Sequence, residues 1–311
     1  MAGSFIGQVQ GHHTQLGSVF YHDPIDGSDT NSGTSRTDAK KKLQAAIDLT
    51  VADRGDLIIR MRGYDAPTAT VNFNKFGITV MAESWGQNYH AQGEFFTTDT
   101  SNSDGPAARI TAGCHIIGLG FAGVQASGDT NTATMQIDAS LSDTNGYGTW
   151  LDHCYFTNWG RAAVNYGVIN QGAGRVRISH SSFYGGATSV NLDAGILHDE
   201  SITGGGGLPG EVDCYKNRYQ HCTYAHEVVS GSRVVNSIWD SEMMGFNYPG
   251  AAWVKYLNQN TVGSGTNRAH IMNNNFATAV GTGTFSHDQA TLITEGYQFS
   301  NNHYGSNLSN L

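Results

Sequence analysis

The chain has 311 residues, 40 of them glycine and only 5 proline, with 14% charged residues and a formal net charge of −9. So few charges beside so much glycine exclude a coiled coil or helical bundle, and 39% hydrophobic residues exclude a disordered chain. The acidic balance argues against a phosphate-neutralising surface, so no nucleic acid is expected as partner, and no run of about 18 apolar residues is present to span a membrane.

Residues 1–22 are polar and Gly-rich, with His12 beside His13, and read as an N-terminal arm. They carry neither the basic nor the apolar region of a secretory signal, which predicts synthesis in a cytoplasm and exit, if any, by another route. Residues 23–56 read as a turn cluster, Asp26 to Gly33, and a helix with Thr37 as N-cap and Asp38 in its first turn. Leu43, Ala46, Ile47 and Val51 fall on one face of that helix, and Arg54-Gly55-Asp56 ends it. Cys114, Cys154, Cys214 and Cys222 form no C-x-x-C pair and are expected as buried free thiols.

From residue 57 to 305 short strand-like runs alternate with turns, and a repeat emerges when aromatics serve as anchors. Its segments end at Phe121, Phe156, Phe183, Tyr219, Trp239, Phe276 and Tyr304. Five residues before each anchor stand Ile116, Leu151, Ile178, Cys214, Val234, Ile271 and Phe299, all apolar. Three before stand Gly118, His153, His180, Lys216, Asn236, Asn273 and Asn301; two before, Ser, Asn or Cys prevail. This is a strand with alternate residues facing a core, a tight bend where Asn and Ser tolerate left-handed geometry, and an aromatic returning inward. A variable period around one preserved unit favours a parallel β-helix over a propeller. Residues 306–311 are left as a C-terminal tail.

The stretch Gly27-Ser-Asp-Thr-Asn-Ser-Gly-Thr-Ser35, with Leu43-Gln-Ala-Ala-Ile-Asp48 and Gly55-Asp-Leu-Ile-Ile-Arg-Met-Arg-Gly-Tyr64, resembles the N-terminal cap of the pectin-lyase-like right-handed parallel β-helix superfamily. The resemblance implies an all-β solenoid whose end a helix covers. Thr149-Trp-Leu-Asp-His-Cys-Tyr-Phe156, followed by Arg175-Val-Arg-Ile-Ser-His-Ser-Ser-Phe183, resembles the Trp-hydrophobic-Asp-His region of pectate lyases and the strand after it. It implies a calcium-dependent lyase with an Arg as base, for which Asp138, Asp143 and Asp152 are the available calcium ligands. The sequence departs from that pattern in having no Asp or Glu between His153 and Asp193. The superfamily also includes viral spikes and fibres, usually homotrimers with their helices side by side.

In a β-helix the outward residues of successive coils stack about 4.8 Å apart. Two such rows are predicted, one running through Trp150, Arg177, Asp213 and Arg233, the other through Asp152, Ser179 and Tyr215. Asp152, Arg177, Asp213 and Arg233 are the catalytic candidates, because paired carboxylates hydrolyse glycosidic bonds. Trp150 and Tyr215 are the sugar-binding candidates. The same residues equally make an Arg177–Asp213–Arg233 ion-pair ladder, with His153 serving only the bend. Two functions stay open: a structural virion protein of a tailed virus, trimeric, glycan-binding and joined to other virion proteins by its arm, or a depolymerase acting on a host glycan. Neither needs a cofactor other than calcium.

Overall fold

The computed structural model describes residues 17–65, 67, 69–83, 95–97, 106–123, 133–138, 148–157, 166–171, 175–185, 192–199, 210–228, 234–239, 242–245, 252–256, 268–272, 275–278, 298–300 and 303–304. Side chains are described up to Glu227, apart from those of residues 95–97 and 210–211. Among the described residues three parallel sheets of ten, eight and seven strands are visited in rotation by successive coils. The chain is therefore an all-β parallel β-helix. Residues 1–16 of the predicted arm, Asp143, Arg233 and the predicted tail lie outside the described residues.

The ten strands of the first sheet are Val19–His22, Leu57–Arg60, Thr79–Ala82, His115–Ile117, Thr149–Asp152, Val176–Ser179, Gly210–Tyr215, Val234–Trp239, Arg268–Met272 and Gln298–Ser300. Its inward row runs Phe20, Ile58, Val80, Ile116, Leu151, Ile178 and Cys214, and the backbone register continues through Ile238, Ile271 and Phe299. The solenoid thus begins inside the predicted arm, because Val19–His22 pairs with Leu57–Arg60.

The second sheet carries the aromatic anchors. Phe121, Phe156, Phe183 and Tyr219 are all fully buried, and their rings stack at 5.6, 5.0 and 5.0 Å. The next anchor is Met243, which pairs with Tyr219 and Phe276, rather than Trp239. Trp239 registers instead with Tyr215 in the first sheet. Aromatic identity misled the sequence reading here, since the residue that registers in this column is a methionine. Glycines of the third sheet make room for the stack: a Cβ on Gly167 would lie 2.6 Å from the Phe183 ring, and one on Gly195 would lie 2.7 Å from the Tyr219 ring.

The bend between the first and second sheets has a fixed conformation. Gly118, His153, His180 and Lys216, one per coil, all have φ between 49 and 73°. The amide ladder sits one residue later and points inward. Asn217 Oδ1 accepts from Ser181 N at 2.9 Å, Asn217 Nδ2 donates to Ile178 O at 2.7 Å, and Cys154 N donates to Ser181 Oγ at 3.0 Å. Backbone groups that would otherwise be orphaned at a buried corner are thereby satisfied. The positive φ thus falls on histidine and lysine, and the Asn and Ser side chains serve the neighbouring coil.

The helix is shorter than predicted and starts later. Arg36–Asp38 is a single 3-10 turn, and the helix spans Leu43–Leu49 with Lys42 as N-cap and no side-chain cap. Thr37 is not the N-cap, because Ala39 is buried and extended and Lys40 bridges His22 before the helix begins. Leu43, Ala46 and Ile47 are buried, packed with the first strands of the first and third sheets, while Val51 is 49% exposed beyond the helix end. Asp56, fully buried, closes this region by accepting from Ser18 N and Val51 N, both at 2.7 Å, and from Arg54. Burial opposes the Asp56 charge, but these donors win and its pKa is lowered. All four cysteines are buried free thiols, as expected. No described helix is long and apolar enough to cross a membrane.

Candidate functional site

The outward side of the first sheet is a grid. Along each strand alternate residues face out, and across strands the same positions repeat at each coil. Trp150 registers with His115 on one side and Arg177 on the other, and Arg177 registers with Asp213. Asp152 registers with Ser179, and Ser179 with Tyr215.

The first row is a stack. The His115 and Trp150 rings lie 4.3 Å apart at 4°, and the Arg177 guanidinium carbon sits 5.2 Å from the Trp150 ring centre. Both faces of Trp150 are therefore covered by its neighbours, and only its edge is left for a ligand. Arg177 approaches Asp213 at 3.8 Å, with side chains 50% and 40% exposed. Such a pair contributes less than about 1 kcal/mol. Asp213 has a raised pKa: burial raises it, and the Arg177 charge pulls only partly the other way. Asp213 registers with Ser237 on its far side, so Arg233 is not its row partner. The predicted three-member ion ladder stops at Arg177–Asp213. The shift of anchor from Trp239 to Met243 is the reason.

The second row converges on Asp152. Its Oδ1 accepts from Ser179 Oγ at 2.7 Å and from His180 Nδ1 at 3.1 Å, and its Oδ2 lies 3.1 Å from His153 Nδ1. Ser179 Oγ in turn accepts from Trp150 Nε1 at 2.9 Å, so the two rows are tied together. The rings of His153 and His180 stack at 4.7 Å and 12°. Burial works against the Asp152 charge, yet His153, Ser179 and His180 outweigh it and hold its pKa down at about 2. Tyr215 is the next member of this row, with the His180 ring edge-on at 5.5 Å and Lys216 Nζ 4.9 Å from its ring centre.

Sequence reasoning singled out Asp152 but assigned His153 and His180 to the bend alone. They do form the bend; that is why they converge. The same left-handed turn, one coil apart, points both imidazoles to one side, with Asp152 between them. The signal was two histidines in one repeat column beside an outward aspartate.

Calcium does not fit this cluster. It takes six to eight oxygen ligands, whereas the donors here are one carboxylate and two imidazoles. Asp138 does not add to them: it follows a strand of the third sheet, Ala133–Ile137, and is bound by Arg109 Nε at 3.1 Å and Gln136 Nε2 at 3.0 Å.

No protein-family model matches the sequence, and no curated protein sequence matches it. Solved structures do share the fold. A rhamnogalacturonan lyase superposes with a TM-score of 0.55 at 14% identity, over 92% of this chain and 87% of that one. The pectate lyase Pel9A superposes with a TM-score of 0.52 at 14% identity, over 97% of this chain and 80% of that one. The chain is a parallel β-helix and shares its fold with these two lyases.

Proposed function

We propose that the chain is a polysaccharide depolymerase, a lyase or glycosidase, working along the outward face of its first sheet. One observation carries the reading. Two carboxylates on that face, Asp152 and Asp213, have ionisation tendencies pushed in opposite directions, the pattern that separates an acid from a base in one site. Asp213 is the acid of the pair, and Asp152, held ionised, is the base.

The grid limits the chemistry. Asp152 and Asp213 are two coils and two residues apart, which puts their Cα atoms about 12 Å from one another. Each carboxylate leans toward the coil between them, Asp152 to Ser179 and Asp213 to Arg177. Retaining glycosidases need carboxyl groups about 5 Å apart, and inverting ones leave about 6.5–9.5 Å for a water. An inverting hydrolysis suits the longer spacing. The rhamnogalacturonan lyase and pectate lyase of the same fold support a polysaccharide as substrate class. The virion reading, drawn from the polar arm, the absent secretory pattern, a fold with many uses and the sparse catalytic set, has no such neighbour among these two structures.

The test is incubation with a panel of neutral and acidic polysaccharides, reading reducing ends and the ultraviolet absorbance of unsaturated products. Activity is expected to fall at least about a hundredfold in Asp213→Asn, the size typical of losing a general acid. Full activity in both Asp213→Asn and Asp152→Asn refutes the site, and release of neither product type from any polysaccharide refutes the enzymatic reading.

A further inference from the structure

We infer that Asp152, His153 and His180 form a binding site for a divalent transition-metal ion of the zinc type. The inference does not rest on the sugar reading, although both use Asp152 and a bound ion would take that carboxylate from its role as base, and its test needs no activity.

The donor atoms are already gathered. One Asp152 oxygen and one nitrogen of each imidazole all lie within 4.8 Å of one another, and the His180 and His153 Nδ1 atoms are each 3.1 Å from an Asp152 oxygen, Oδ1 and Oδ2 respectively. Ligands held about 2.0–2.1 Å from a tetrahedral zinc stand about 3.4 Å apart; the two nitrogen–oxygen distances of 3.1 Å are already near that, and the imidazole–imidazole distance, within 4.8 Å, closes by at most about 1.4 Å. Imidazole nitrogen with one carboxylate matches zinc, nickel, copper or iron rather than calcium or magnesium. Three protein ligands leave a position open, as in zinc sites that bind water or substrate.

The surroundings hold the ligands in place. Asp152 is oriented by the Ser179 hydroxyl, which is itself held by the Trp150 indole N–H. Ligating carboxylates are characteristically supported in this way. Each imidazole is fixed by the turn that carries it: His153 N donates to Ser179 O at 3.0 Å, and His180 N to Tyr215 O at 2.9 Å. The side chains are 31% and 33% exposed, so an ion has a path in. Binding through Nδ1 places the ring proton of each imidazole on Nε2.

The probe is zinc chloride, titrated calorimetrically into the metal-free full chain, with the thermal midpoint read alongside. One saturable site and a raised midpoint are expected. His153→Asn with His180→Asn is the variant of choice, because asparagine accepts the positive φ that both positions require. It is expected to lose that site while its far-ultraviolet circular dichroism stays unchanged. Ser179→Ala is expected to weaken binding about tenfold. Zinc-edge X-ray absorption of the wild-type complex supplies a readout without mutation, and two imidazole ligands are expected. Absence of saturable binding, equal binding by the double asparagine variant, or a first shell lacking histidine overturns the inference.

Discussion

Two histidines are buried inside the solenoid, and acid should find them. His198 Nε2 meets His226 Nδ1 at 3.1 Å, and His226 Nε2 meets the Tyr219 hydroxyl at 3.2 Å, all three residues being 1% exposed or less. Burial pushes the His198 pKa down to about 3. Burial, then the charge of His198, pushes that of His226 well below the ordinary value. Both therefore stay neutral in the folded chain at pH 5, whereas in the unfolded chain, with pKa near 6.5, both are charged. The unfolded state binds more protons, so stability is lost as pH falls below about 6.5. Each pH unit is worth about 1.4 kcal/mol per histidine, so between pH 6.5 and 5 the pair costs about 4 kcal/mol. That is a large part of an ordinary domain's stability. The assay is urea unfolding at pH 7 and pH 5, comparing the wild type with the triple variant His198→Leu, His226→Leu, Tyr219→Phe. Leucine suits the site, since His226 registers with Ile196, and Ile196 with Val168. Replacing all three leaves no imidazole facing a lost partner, and the bonds that Cys214 and Asn217 make to the Tyr219 hydroxyl are lost equally at both pH values, so they offset the variant's stability without changing its pH slope. It should lose about 4 kcal/mol less than the wild type on going to pH 5. His22 and His221, whose pKa values burial also lowers, remain in the variant and leave a residual slope. Equal losses in the two proteins would refute the reasoning.

Gly195→Ala should destabilise the fold by about 1–3 kcal/mol, read as a lower urea midpoint. The new Cβ meets a Tyr219 ring that the stack on Phe183 prevents from moving aside. Asn217→Ala should cost about 1–3 kcal/mol for each buried group it orphans, here Ser181 N–H and Ile178 C=O. Hydrogen exchange at the Ser181 amide should accelerate, and an unchanged rate would show that another acceptor holds it.

The solenoid was legible in the sequence because each coil repeats one demand: an apolar residue, a bend and a bulky anchor at constant offsets. Leu151, Ile178 and Cys214 differ chemically yet keep one inward column, since the strand period of two leaves no other face for them. The outward pairing of Trp150 with Arg177 and of Arg177 with Asp213 was legible for the same reason. What the sequence could not decide was register across an insertion. Trp239 and Met243 both fit an anchor, and only the pairing of whole strands chose Met243, which sets Ser237 beside Asp213.

Side-chain convergence also belonged to the tertiary structure alone. His153 and His180 are 27 residues apart, and nothing local in either segment aims them at a common point. Stacking of identical left-handed turns does so, with Asp152 between them. Repetition along the chain determined the coil. Contact between coils decided which polar groups share one charge, because that depends on distances that sequence offsets do not contain.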